Sequence, residues 1–336
     1  MNQGPHLRHH QYQLIYGPRC SCKHCWAEQP IALETPTGTI NGTLTIPEGN
    51  SKPPIALIIA GSGPTDRNGN SPTPAGTNNS LEMLSAALAR TGFASVRYDK
   101  RGVADSAGTA TTENNLRFED YVLDATAWAQ SLARDSRFSG VVIIGHSEGS
   151  LIGMLTAQRT PILAFISIAG PAEKGASLLR HQLLGRLPPD LAARNEAILS
   201  ALETGTLADD VPTPLAALYR PSVQPYLISW FRYTPTIELA KLEIPCLVVH
   251  GETDIQVSVS DSQLLHAAQS RCQERLIPGM NHVMKLVPAD RARQLASYGD
   301  PTLPIADELV HAVTEFLHGV AATRSDGYVE RWASQK

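Results

Sequence analysis

The sequence predicts an α/β chain: a mostly parallel central sheet covered by helices on both faces, with a helical cap inserted into it. Three observations carry this. Short apolar runs ending in glycine alternate with longer segments whose apolar residues recur three and four positions apart. The runs are apolar without interruption, as strands buried on both faces must be. The alternation breaks once, over residues 171–235, where amphipathic patterns separated by prolines replace it.

Taken in order, TINGTLTIP alternates with period two and reads as a strand half exposed to water. PPIALIIAG is a buried strand, SLEMLSAALARTG a helix closed by Gly92, and FASVRYDKRG the next strand and turn. RFEDYVLDATAWAQSLA is helical, GVVIIGH a buried strand, SEGSLIGMLTAQRT a helix and ILAFISIAG a strand. In the cap, GASLLRHQLLGRL, LAARNEAILSALETG and the pair PLAALYR and VQPYLISWFRY read as short helices. IPCLVVHGETD resumes the sheet, followed by helical SDSQLLHAAQS, the strand QERLIPG and the helix IADELVHAVTEFLHG. The expected division is a core over residues 31–170 and 236–320, a cap over 171–235 and a tail over 321–336.

A chain of 336 residues, 42% hydrophobic and 18% charged, is large enough for one core with an insertion. Its net charge of −4 offers no basic field for nucleic acid or anionic lipid, and no apolar run reaches membrane-spanning length. A small-molecule partner is therefore expected, with the oligomeric state left open. Residues 1–30 are rich in His, Pro and Cys without an apolar secretory core, and read as an unstructured extension. Cys20, Cys22, His24 and Cys25 invite a zinc reading, but no second ligand pair stands downstream at a matching spacing, so no metal is expected. Cys246 and Cys272 lie in apolar or amphipathic segments and read as buried, inert thiols. An odd total of five cysteines and no leader make a reduced, cytoplasmic protein the expectation.

The chemistry centres on VVIIGHSEGSLIG, residues 141–153. By composition a G-x-S-x-G pattern has an expectation on the order of 0.1 in such a chain, so the pattern alone says little. Its setting says more. Gly145, His146, Ser147, Glu148 and Gly149 stand between a buried strand and a helix, where glycines relieve clashes in a sharp turn and the helix N-terminus offers free N–H groups. The competing reading is a serine N-cap. A nucleophilic serine needs a base and an orienting carboxylate, here in the order Ser, Asp, His at later strand ends. Asp254 follows CLVVHGET and His282 follows RLIPGMN; each could instead be a loop residue capping a turn. Glu252 sits closer to its strand, Asp261 opens a helix, His250 belongs to a strand end, and His146 is the variable residue of the turn. The oxyanion hole is expected to combine the Glu148 N–H with one from Ser62 or Gly63, in the loop after ALIIAG; the alternative is a plain surface turn. A phosphate loop is excluded because that loop lacks the G-K-[ST] ending.

AGSGPTDRNGN, YDKRG, GHSEG, HGETD and GMNH together resemble the α/β-hydrolase superfamily, in its serine esterase and serine aminopeptidase-like branch, over residues 31–320. The resemblance implies the α/β-hydrolase fold and a carboxylic ester hydrolase working through an acyl-enzyme, without metal or organic cofactor. In it Ser147 would attack an acyl carbonyl, His282 would shuttle the proton and Asp254 would orient His282, while Asp99 and Arg101 would be structural. Aminopeptidase, amidase or acyl-CoA thioesterase action stays open on the same fold, as does a catalytically silent ligand-binding protein. A peptidase of this kind needs a cap acid for a free amine, and the candidates are Asp190, Glu196, Glu203, Asp209 and Asp210. Leu183, Leu184, Leu215, Tyr219, Tyr226, Trp230 and Phe231 are expected to divide between packing on the core and lining a pocket for short to medium acyl groups.

Overall fold

The computed structural model describes residues 26–49, 52–72, 76–109 and 112–325. Its eight-stranded sheet runs β1-β2-β4-β3-β5-β6-β7-β8. The strands are β1 (Trp26–Thr35), β2 (Gly38–Pro47), β3 (Ile55–Ile59), β4 (Ala94–Tyr98), β5 (Val141–His146), β6 (Ala164–Ile168), β7 (Cys246–Gly251) and β8 (Gln273–Ile277). β1 and β2 pair antiparallel, as do β2 and β4, and every pairing from β4 to β8 is parallel. The core helices are α1 (Ser80–Arg90), α2 (Phe118–Arg134) and α3 (Glu148–Ala157). Between β6 and β7 lie α4 (Gly175–Leu183), α5 (Pro189–Glu203), α6 (Ala216–Tyr219), α7 (Gln224–Trp230) and α8 (Pro235–Ala240). After β7 come α9 (Val259–Ala268), α10 (Arg291–Ser297) and α11 (Asp307–Ser325).

The uninterrupted apolar strands are buried throughout because each face meets helices. Ile55, Leu57 and Ile59 of β3 pack with Val141 and Ile143 of β5 against α2 and α3. Their neighbours Ala56, Ile58, Val142 and Ile144 point the other way, onto α1 and α11, the period-two alternation of a strand. Leu199, Leu202, Tyr219 and Trp230 extend the α2 and α3 side of the core into the α4–α7 region. The chain leaves β3 for β4 on one side and returns to β5 on the other, so a crevice opens beyond the carboxyl ends of β3 and β5.

Three features differ from expectation. Residues 26–30, assigned to the extension, form the first half of β1, which is hard to read because most of it faces water and it contains Pro30. It is nevertheless tied down: Glu28 Oε1 accepts from the buried Arg97 guanidinium of β4 at 2.8 Å. α10 was unanticipated, being a seven-residue helix started by Asp290, whose carboxylate accepts from the Arg293 amide. Cys246 and Cys272, expected as free thiols, form a disulfide. The parallel pairing of Leu247 with Gln273 brings the two cysteines opposite each other at the start of adjacent strands, a juxtaposition that a sequence separation of 26 does not reveal. The thiol argument for a cytoplasmic location therefore falls. Cys20, Cys22, His24 and Cys25 lie outside the described residues. No described helix is long and apolar enough to cross a membrane.

Candidate active site

β5 delivers Ser147 at its carboxyl end with φ 55° and ψ −123°, a conformation costly to any residue bearing a Cβ. Packing holds it there. The Ser147 N–H donates to the Ile168 carbonyl of β6 at 2.9 Å, and its own carbonyl accepts from Ser150 at 2.9 Å as α3 begins. A Cβ on Gly145 would stand 2.3 Å from the Gly149 carbonyl oxygen, and one on Gly149 would stand 2.3 Å from that of Ile59. Both glycines are thus required by close backbone approach, and the second presses the turn onto the end of β3. A Cβ on Gly61 would lie 3.1 Å from that of Ser147, so the loop after β3 runs directly beside the serine.

Asp254 and His282, from the loops after β7 and β8, meet at hydrogen-bond distance. His282 Nδ1 donates to Asp254 Oδ2 at 2.7 Å, leaving Nε2 of a neutral ring as the lone-pair nitrogen. Asp254 Oδ1 accepts the amides of Gln256 at 2.7 Å and Val257 at 3.0 Å, so this carboxylate both caps its turn and orients the histidine. Burial pushes the Asp254 carboxyl up, but the facing His282, its hydrogen bond, His250 and the Gln256 amide outweigh this and hold it below the ordinary carboxylate range. The two loops are stitched together by Thr253 N–H donating to the Met280 carbonyl at 3.1 Å and Glu252 N–H to that of Ile277 at 3.1 Å.

Among the expected oxyanion donors, Glu148 is the first residue of α3, where an N–H has no intrahelical acceptor. Ser62 and Gly63 are exposed at the loop's crest, Gly63 with φ +68°. Asp99 accepts the amides of Arg67 at 2.8 Å and Asp105 at 3.2 Å, and Arg101 grips Asp124 of α2 with two nitrogens; both act within the scaffold.

Three residues assigned no role in the chemistry from sequence stand in the site: His146, read as the variable residue of the turn, Tyr226, read as packing or pocket lining, and Lys100, not singled out. His146 Nε2 donates to the His282 carbonyl at 2.8 Å, with the two rings 4.9 Å apart. Burial first, and the neighbouring His282 second, push the His146 imidazole down to about 4, so it is neutral at pH 7. Lys100, in the middle of YDKRG, is 1% exposed; its ammonium donates to the Gly61 carbonyl and lies 3.7 Å from Glu148 Oε2. Tyr226 of α7 donates to Glu148 Oε1. A lysine two residues beyond a buried strand was the available signal for Lys100; burial of His146 and the reach of Tyr226 are tertiary facts.

The α4–α7 region therefore touches the residue next to Ser147. Leu215, Tyr219, Tyr226, Trp230 and Phe231 are buried, Leu183 is half-buried, and Leu184 is 78% exposed. The five candidate cap acids are all exposed; Glu196 and Glu203 pair with Arg180, and Asp210 with Arg194. Among the described residues no group of three or more His, Cys, Asp or Glu side chains could hold a metal ion.

Comparison with known proteins fits this architecture. A family described as "Serine aminopeptidase, S33" matches residues 76–219, a span that includes Ser147 but stops short of Asp254 and His282. Esterase EstD of Thermotoga maritima is 26% identical over 262 residues, which cover 76% of this chain and 61% of that protein. Est1E of Butyrivibrio proteoclasticus superposes with a TM-score of 0.57 at 19% identity, covering 87% of this chain and 99% of the other. An esterase of Pyrococcus furiosus does so with a TM-score of 0.55 at 15% identity, covering 93% and 100%. With its sheet order, its glycine-flanked serine turn and these structural similarities, the chain has the α/β-hydrolase fold.

Proposed function

We propose that the chain is a serine carboxylic ester hydrolase in which Ser147 is the nucleophile, His282 the general base and acid, and Asp254 the residue that orients His282. The observation that carries the reading is the pairing of His282 Nδ1 with Asp254 Oδ2 at 2.7 Å, at the sheet edge where Ser147 is held at φ 55°. That pairing fixes the tautomer a base needs, with the proton on Nδ1 and the lone pair on Nε2. Ser147 Oγ attacks the ester carbonyl carbon as its proton passes to His282 Nε2. Negative charge builds on the carbonyl oxygen, facing the N–H groups of Glu148 and of Ser62 or Gly63. The tetrahedral intermediate collapses with departure of the alcohol, which takes the proton from His282. Water, deprotonated by the same nitrogen, then releases the acid and restores Ser147.

Similarity to Esterase EstD and to solved esterases favours esters over amides. The surface ion pairs of Glu196, Glu203 and Asp210 also disfavour a cap acid waiting for a free amine. The segment from α4 to α7 acts as a cap over the serine, and its apolar Tyr226, Trp230 and Phe231 favour short to medium acyl groups as the substrate class. A panel of p-nitrophenyl esters from acetate to palmitate, with aminoacyl amides and an acyl-CoA, tests this. Ser147-dependent turnover highest on the shorter esters is expected. Faster cleavage of the amides or the acyl-CoA than of every ester would reassign the reaction.

A further inference from the structure

Lys100 and Glu148 are 1% and 2% exposed, and they face each other beneath the serine turn at 3.7 Å. Burial pushes the Lys100 ammonium down from its ordinary value, against the pull of Glu148. Taking two such charges out of water costs more than their attraction commonly returns, so apolar residues of similar volume would serve the core as well. Stability therefore does not account for the pair; its contacts suggest what does. The ammonium donates to the carbonyl of Gly61, and that carbonyl shares one planar peptide unit with the N–H of Ser62. In a trans peptide the two ends point in opposite directions, so holding the oxygen fixes where the N–H points. A cation on the oxygen also withdraws density through the amide and makes the N–H a stronger donor. Gly61 carries no Cβ to restrict rotation of that peptide and lies against Ser147, where reorientation would be felt directly. The other side of the ammonium faces Glu148, whose backbone N–H is the second expected donor.

We propose that Lys100 is a positioning residue of the oxyanion hole: it locks and polarises the Gly61–Ser62 peptide, with Glu148 as its counter-ion. Tyr226 joins this unit from the cap, donating to Glu148 Oε1 while its ring meets that of Tyr121 edge-on at 5.7 Å. Lys100 in turn lies 5.1 Å above the Tyr121 ring centre. Cap placement and oxyanion geometry are thereby linked through one buried chain, Tyr226 to Glu148 to Lys100 to Gly61. The inference rests on the esterase reading above.

The test compares wild type with Lys100→Met, Tyr226→Phe and the double variant Lys100→Met/Glu148→Gln, which leaves no unpaired charge should Lys100→Met fail to fold. Active sites are counted by exhaustive labelling with a fluorophosphonate. For each folded protein kcat, KM and inhibition by a trifluoromethyl ketone, which forms a tetrahedral adduct with the serine, are measured. Loss of one oxyanion donor typically lowers kcat by about 10²–10³-fold. The Lys100 variants should lose kcat by roughly 10- to 1,000-fold with KM changed less than about threefold. The ketone should weaken in parallel, and Tyr226→Phe should show a smaller effect of the same kind. A folded double variant with wild-type kcat and ketone affinity would overturn the inference, as would a loss confined to melting temperature and KM. If wild type itself shows no Ser147-dependent turnover, the esterase reading fails and this inference with it.

Discussion

At the residue scale, His146 carries a consequence separate from catalysis. Its ring is buried, donates to the His282 carbonyl, and is held neutral down to about pH 4, whereas an unfolded histidine titrates near 6.5. Between these values the unfolded chain binds more protons than the folded one, so stability rises with pH across the window. The contribution is complete above about pH 6.5 and lost as the pH falls toward 4; a shift of this size corresponds to about 3 kcal/mol. Urea unfolding at half-unit steps from pH 4 to 7 should show this slope in wild type and a shallower one in His146→Gln. Equal slopes would mean that the ring is not buried in its neutral form. Asp254→Asn is a second test at this scale. Its amide can present N–H to His282 Nδ1 and favour the wrong tautomer, so kcat should fall by about 10³–10⁴-fold with folding retained. A fall below tenfold would leave His282 oriented by other contacts.

At the element scale, the serine turn and β1 show what a sequence discloses and what it conceals. The turn was legible because its requirements are local: β-branched residues enter, glycine flanks the serine, and a helix follows. Asp254 was legible just past a strand because the apolar run of β7 precedes it, whereas β8, QERLI, is short and half polar and framed His282 less sharply. β1 was not, since an edge strand with exposed Glu28 and Gln29 and a proline carries neither alternation nor continuous apolarity. Its ladder with β2 is reinforced by an ion pair 69 residues apart in sequence, Glu28 with Arg97. Lys100 and the disulfide were concealed for the same reason, their partners being supplied by the sheet order. The cost of losing the β1 tether is measurable: Glu28→Ala removes a charge-assisted acceptor from buried Arg97 and should destabilise by about 1–2 kcal/mol without lowering kcat. An unchanged denaturation midpoint would show that this pair adds nothing to the hold of the β2 ladder on β1. Gly149→Ala, by contrast, should cost both stability and activity, because its Cβ would strike the Ile59 carbonyl.

At the scale of the whole molecule, one sheet edge gathers Ser147, Asp254 and His282, the groups the proposed reaction uses, and the α4–α7 insertion emerges from that edge after β6. Tyr226 fastens it to Glu148, the residue beside Ser147, and in the proposed reading its apolar residues roof the reaction. Each methylene buried beneath such a roof contributes roughly 0.8 kcal/mol until the wall is met, after which crowding reverses the gain. Across a series of acyl chain lengths kcat/KM should therefore rise, peak at short to medium length and fall. A monotonic rise to palmitate would mean that the cap does not limit the acyl pocket. Beneath these expectations lies one claim, that Ser147 is a nucleophile activated by His282. Its most direct measurement is covalent: wild type, Ser147→Ala and His282→Ala are each treated with a fluorophosphonate and digested, and the modified peptide is identified by mass spectrometry. A single phosphonylated site at Ser147 is expected in wild type, none in Ser147→Ala, and labelling slowed by orders of magnitude in His282→Ala. Folded wild-type protein that stays unlabelled, or label carried by another residue, would contradict that claim.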